Sequence, residues 1–223
     1  MSDAKTRPMP RLFLIRHGET EWSLNGRHTG RTDIPLTKRG EDDAIQRAQI
    51  LVGPGKVLDP ANLCTVYVSP RTRAHTTFHL LFDHLDKLPD HVITEEVREW
   101  DYGEYEGLLS SEIKAKNPTW EIWKDGCPGG ESVEEMCLRV DTVIQKVREH
   151  HKKYLEEGTV SRDVVIVAHG HFNRVAIARW NRFPLYMGTH FNVEPAGMAI
   201  LSYNHRNLDE PALNALNLYA QVN

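Results

Sequence analysis

Runs of apolar residues alternate along this chain with stretches of helical period. Residues 11–15 (RLFLI) form a mostly apolar stretch between Pro10 and Gly18, the pattern of a strand covered on both faces. Residues 64–68 (CTVYV) are rich in β-branched and aromatic side chains, 163–168 (DVVIVA) give the strongest strand signal, and 198–203 (MAILSY) a last short one. Residues 37–52 read as helical. Ser69-Pro70 offers an N-cap and a proline at the first helical position, opening a helix to about Leu85. Val133, Met136, Val140, Ile144 and Val147 recur as a helical stripe over 133–155, and 172–183 follows as another helix. Repeated strand–helix alternation predicts an α/β fold with a mostly parallel sheet.

Composition adds bounds. The 223 residues are 40% hydrophobic and 26% charged, without linker, repeat or low-complexity tract, so one domain over 1–223 is expected, with 1–10 as a flexible N-terminal arm. A net charge of −4 without Lys/Arg runs argues against a nucleic-acid binder. Cys64, Cys127 and Cys137 are odd in number and lack CxxC spacing, which fits buried thiols in a reducing compartment. The start MSDAKTRPMPR has no apolar leader and no later segment reaches membrane-spanning length, so no membrane partner and a cytoplasmic address are expected.

In parallel sheets, ligands bind beyond the carboxyl ends of strands. RLFLI leads into Arg16-His17-Gly18, CTVYV into Ser69-Pro70-Arg71-Thr72-Arg73, and VVIVA into His169-Gly170-His171. Cationic and imidazole groups follow three separate strands. Guanidinium forks match phosphate oxygens, and a histidine can attack phosphorus in line. No P-loop and no paired-Asp magnesium signature is present, so the expected phosphate pocket uses no metal and no cofactor. Glu99, among the aromatic residues of REWDYGEYEG, is a candidate general acid, with Asp101 and Glu104 as rivals. The arginines would keep Glu99 ionised until a phosphate dianion sits beside it.

These motifs resemble the histidine phosphatase (phosphoglycerate-mutase-like) superfamily over nearly the whole chain. RHGETEW implies that His17 is phosphorylated and that Arg16 and Gly18 hold the phosphate. SPRTRAHTT implicates Arg73, REWDYGEYEG places the acid at Glu99, and AHGH places a second histidine at His169, followed by Gly170 and His171. HTGRTDIPLT resembles a substrate-covering loop in which Thr29 and Gly30 would contact ligand, with Tyr102 facing the leaving group. The resemblance implies a three-layer α/β sandwich, a small phosphorylated metabolite as substrate and a homodimer.

WDYGEYEG, WEIWKDGCPGGES and LSYNHRNLDEPAL resemble the fungal sugar-bisphosphatase branch, which implies sugar phosphates or bisphosphates such as sedoheptulose 1,7-bisphosphate. That branch carries a long insertion before its final strand, whereas Phe183 connects to Met198 directly here. Arg27, His28, Arg31 and Arg174 are candidates for a second phosphate.

Rival readings stand beside these. The rival reading of Arg73 is an exposed helix arginine pairing with a nearby acid, Arg71 is evenly balanced between the site and no role in it, and His171 is as well explained by packing as by substrate contact. Met136 reads as core, Trp120 and Trp123 as a lid or wall, and residues 42–43 and 150–153 as solvated helix faces. A mutase returning the phosphoryl group to another hydroxyl, and a non-catalytic sensor of phosphate esters, are the functional rivals.

Overall fold

A computed structural model describes residues 7–158 and 161–218. Six strands form one sheet: β1 (Leu12–Arg16), β2 (Leu63–Val68), β3 (His91–Ile93), β4 (Asp163–Ala168), β5 (Met198–Tyr203) and β6 (Pro211–Ala215), in the order β3-β2-β4-β1-β5-β6. β1, β2, β3 and β4 pair in parallel, while β5 and β6 run antiparallel. The sheet is therefore mostly parallel, and the four apolar runs are its four central strands.

Alternation along each strand builds two cores. Leu12, Leu14, Val164 and Ile166 pack with α6 (Val133–Glu157) and α7 (Gly170–Trp180) on one face. Phe13, Ile15, Val165 and Val167 pack with α2 (Lys38–Leu51) and α3 (Thr72–Phe82) on the other. Each large side chain so buried contributes about 1.5–3 kcal/mol by leaving water. Helix, sheet and helix give the three layers. Met136 is fully buried in the first core.

The long helix α6 is punctuated at both ends by sequence. Ser132 accepts the Glu135 N–H while Glu135 accepts the Ser132 N–H, a reciprocal cap, and Gly158 closes the helix at φ 71°. Its phase corrects one expectation. His151 is not on a solvated face: it lies one helical turn beyond Val147, is fully buried, and bonds the Tyr203 hydroxyl at 2.8 Å.

The N-terminal arm is corrected in part. Arg7 donates to the carbonyls of Tyr154 (3.3 Å) and Leu155 (2.7 Å) at the end of α6, and Pro10 accepts the Ser202 hydroxyl at 2.9 Å. Residues 7–10 are thus tied down, and 1–6 lie outside the described residues. Short elements without a long periodic signal complete the fold: α1 (Glu21–Asn25), α4 (Ser110–Lys116) and α5 (Ile122–Asp125).

α3 also begins later than Ser69-Pro70 suggested. Its first residue is Thr72, and the Ser69 side chain is turned away to His169. The capping role passes to Asp33 from a distant loop, which accepts the Thr72 N–H at 2.8 Å and its hydroxyl at 2.6 Å.

Candidate active site

β4 lies between β1 and β2, with Arg16 opposite Ala168 and Val68 opposite Val167. That register delivers His17, Ser69 and His169 to one end of the sheet. The His17 N–H donates to the Ala168 carbonyl at 2.9 Å, and the two imidazole rings meet edge-on with centroids 5.2 Å apart.

His17 is buried, with Nδ1 2.7 Å from the Gly18 carbonyl. Burial, then the charges of Arg73 and Arg16, push its pKa well below the usual histidine value. The neutral ring spends its one N–H on Gly18, so Nε2 carries a lone pair. Gly18 itself is fixed from behind. Its N–H donates to Thr77 Oγ1 at 3.0 Å, Thr77 donates to the Arg73 carbonyl at 2.7 Å, and a Cβ at Gly18 would come within 2.8 Å of the Gly40 carbonyl. Only glycine fits that approach.

Two guanidinium groups stand beside the imidazoles. Arg16 donates to the Val193 carbonyl at 2.7 Å, and the fully buried Arg73 donates to the carbonyls of Thr32 (3.0 Å), Thr29 (2.9 Å) and Gly30 (3.1 Å). Neither makes an ion pair among the described residues, and each has a buried Nε with no partner. Burial lowers both pKa values from the ordinary arginine value, against a raising contribution from Glu99.

Glu99 sits at the N-terminus of α7. It accepts the N–H groups of Trp100 (2.9 Å), His171 (3.0 Å) and Phe172 (2.8 Å). This is the bonding pattern of a carboxylate at a helix start. Gly170 lies between the charges: a Cβ there would be 3.5 Å from Arg16 Nε and 3.7 Å from Glu99 Oε2.

These groups open into a cavity of about 640 Å³. Arg16, His17, Glu99, Gly170, Thr29, Tyr102 and His171 line it, with Trp120 and Trp123 as wall. Tyr102 Oη lies 2.7 Å from His171 Nδ1. Burial pushes the phenol up and the imidazole down, so both are neutral and share one hydrogen bond. Of the candidates for a second phosphate, Arg27, His28 and Arg174 line the cavity. Arg31 does not: it is exposed and paired with Asp101 at 2.6 Å, drawn off by the nearer carboxylate.

Several residues are not part of the cavity lining. Arg73 and His169 are fully buried beside His17. Gly30 is a structural contact, its N–H held by Glu106 at 2.9 Å and its carbonyl by Arg73. Arg71 pairs with Glu95 at 3.2 Å and lies outside the lining. Sequence reading missed Lys114 and Asn192, which line the cavity from segments without a motif, and Val193, whose carbonyl holds Arg16. It took Ser69 for a cap. Among the described residues no cluster of three His, Cys, Asp or Glu side chains is placed to hold a metal, and no helix is long and apolar enough to cross a membrane.

A neutral imidazole beside two guanidinium groups offers a nucleophile and forks that match phosphate oxygens. Residues 12–216 match the model of the histidine phosphatase superfamily (branch 1), and the chain belongs to that family. It is 33% identical to sedoheptulose 1,7-bisphosphatase of Saccharomyces cerevisiae, over 92% of this chain and 91% of the relative. It is 40% identical to an acid phosphatase of Mycobacterium tuberculosis, over 87% of each chain. The solved structure of the Mycobacterium tuberculosis open reading frame Rv3214 superposes with a TM-score of 0.79 at 36% identity, over 94% of this chain and 98% of that one. The yeast alignment spans 251 positions against 223 residues here, so that relative carries inserted residues. The protein is a phosphatase, a phosphoric monoester hydrolase acting on a small phosphorylated substrate.

Proposed function

We propose that the enzyme hydrolyses sugar phosphates or bisphosphates, such as sedoheptulose 1,7-bisphosphate, through a phosphohistidine on His17. The observation that carries this reading is the neutral His17 ring, tied at Nδ1 to Gly18, beside two arginines that donate to backbone carbonyls and make no ion pair among the described residues. His17 Nε2 attacks phosphorus, and the N–P bond forms as the ester P–O bond breaks. Arg16 and Arg73 bind the equatorial oxygens, and His169 donates to them as charge develops. Glu99 gives the leaving oxygen its proton, then takes one from the water that cleaves the N–P bond. In the free site Glu99 accepts three N–H groups, which hold its carboxyl group in place beside Arg16 and Gly170.

The substrate end supports a second anionic group. Arg27, Lys114 and Arg174 line the same cavity as His17, with Thr29, Tyr102 and His171 as polar contacts. A phosphate on the far carbon of a short sugar would meet those cations.

The test is a panel of sugar mono- and bisphosphates scored as phosphate release with EDTA present. Release from bisphosphates in preference to monophosphates, with an acid-labile, base-stable phosphoprotein trapped during turnover, is the expected result. Release that stops with EDTA, or turnover without a trapped phosphoprotein, overturns the mechanism. Isomer formation dependent on 2,3-bisphosphoglycerate would assign the phosphoryl group to a second hydroxyl and make the enzyme a mutase.

A further inference from the structure

We propose that Ser69 is a positioning residue that fixes the tautomer of His169, so that the ring presents Nδ1–H to the transferred phosphoryl group. The inference rests on the phosphoryl-transfer reading of the site and adds a residue to it. Ser69 follows β2, and its Oγ lies 2.7 Å from His169 Nε2, with both residues fully buried. The other ring nitrogen, Nδ1, is buried and has no partner. It belongs to a ring packed against His17 and surrounded by Arg73, Arg71 and Arg16.

A neutral imidazole carries one N–H. Burial and the neighbouring guanidinium charges hold His169 well below the usual histidine value, so the ring is neutral and has two tautomers to choose between. With the proton on Nε2, the ring would donate to Ser69 and turn a lone pair from Nδ1 toward phosphate oxygens, which repel it. With the proton on Nδ1, Nε2 becomes an acceptor and needs a donor. The Ser69 hydroxyl can be that donor. Its oxygen lies 3.5 Å from the Arg71 N–H, and its O–H is left to turn toward Nε2. A phosphate in the cup therefore selects Nδ1–H, and Ser69 makes that state complete in its hydrogen bonds. Alanine at 69 would bury Nε2 with no partner.

The test uses the intact protein with vanadate as the probe. Long-range ¹⁵N–¹H NMR of ¹⁵N-histidine-labelled wild type, with the His169 signals identified by their loss in His169→Gln, should show Nδ1 protonated and Nε2 bare in the vanadate complex. A proton on Nε2 there overturns the proposal. Ser69→Ala should lower kcat by roughly 10²-fold with little change in KM, the scale lost when an oriented donor is misdirected. Vanadate affinity should weaken in parallel, and Ser69→Thr, which keeps the hydroxyl, should restore most of both. Ser69→Ala turning over like wild type overturns the proposal, as does Ser69→Thr behaving like Ser69→Ala. Should Ser69→Ala not fold, the wild-type spectrum still decides. Absence of a trapped phosphohistidine in wild type would overturn the reaction mechanism instead, because the tautomer is read without turnover.

Discussion

Two groups of arginines in this molecule are treated in opposite ways. Behind the segment that carries Glu99, the Glu131 carboxylate receives Arg139 through Nε and Nη2 at 2.7 Å each and Arg98 at 3.4 Å. Arg139 also binds the carbonyls of Glu96 (3.0 Å) and Arg98 (2.9 Å), so one paired cation pins the strap leading to the acid. In the cup, Arg16 and Arg73 have backbone carbonyls alone for partners, and Arg174 has the carbonyls of Gly188 and Thr189 and the face of Trp123. Glu99 raises both of their pKa values without bonding either one, and a buried cation short of a bonded counter-ion costs several kcal/mol, which an arriving dianion would offset. Paired arginines hold the chain. Unpaired ones stand beside His17, and Arg27, farther along the same cavity, is the exception, paired with Glu112 at 3.5 Å.

The sharpest break of this contrast is at the group the unpaired arginines serve. His17→Ala should lower phosphate release by roughly 10⁴-fold or more and remove any acid-labile phosphoprotein, since the nucleophile acts as a unit with its neighbours. Retained turnover, read by phosphate release, would mean that the cup serves some other group.

Next come the two kinds of arginine. Arg73→Met should lower kcat/KM by about 10²–10³-fold and abolish the rise in melting temperature that vanadate gives wild type. Arg139→Met should instead cost about 3 kcal/mol in urea unfolding, because Glu131 loses its bidentate partner, with the kcat/KM of the folded fraction changed far less. Exchanged outcomes, with stability lost at 73 and turnover lost at 139, would reverse the assignment.

Two smaller effects follow from protons. Arg73 is the largest charge holding His17 down, so Arg73→Met should move the acid limb of the kcat/KM profile toward higher pH. Stability should also fall in acid. His17, His151 and His169 are buried and His171 is half-buried, all with pKa values below the ordinary 6.5, His151 at about 3. Below pH 6.5 the unfolded chain binds protons that the folded chain excludes, so folding weakens as pH falls from 6.5, by up to roughly 1.4 kcal/mol per pH unit for each ring. Melting temperatures between pH 7 and 5 check the sign; a flat or rising trend toward acid would contradict it.

Legibility differed by element. The apolar runs at β1, β4 and β5 were readable because strands buried on both faces leave no polar alternation to confuse, and the half-buried β2 was readable from its β-branched and aromatic residues. α1 went unread although its signal was present: Thr20 and Ser23 cap each other and Gly26 closes the turn at φ 80°. β3 and β6 carry no such signal, since they are short edge strands whose residues are exposed or half-buried. Ser69 looked like a cap because Ser-Pro is a common helix start, but a partner 100 positions away in the sequence outcompeted the local one. His151 looked solvated because its neighbours are charged, and the helical phase alone turned it inward.

The amino-acid sequence by itself determined the layered α/β architecture and the identity of the reactive groups at the three strand ends, because strand period, helix caps and motif chemistry are local properties of the chain. Tertiary structure decided which of those groups stay unpaired. Arg31 and Arg71 found carboxylates and left the site, while Arg16 and Arg73 found carbonyls and stayed charged within it. That choice depends on which distant side chains the sheet register brings within about 3 Å, the range in which a hydrogen bond or ion pair forms, and no local pattern encodes it.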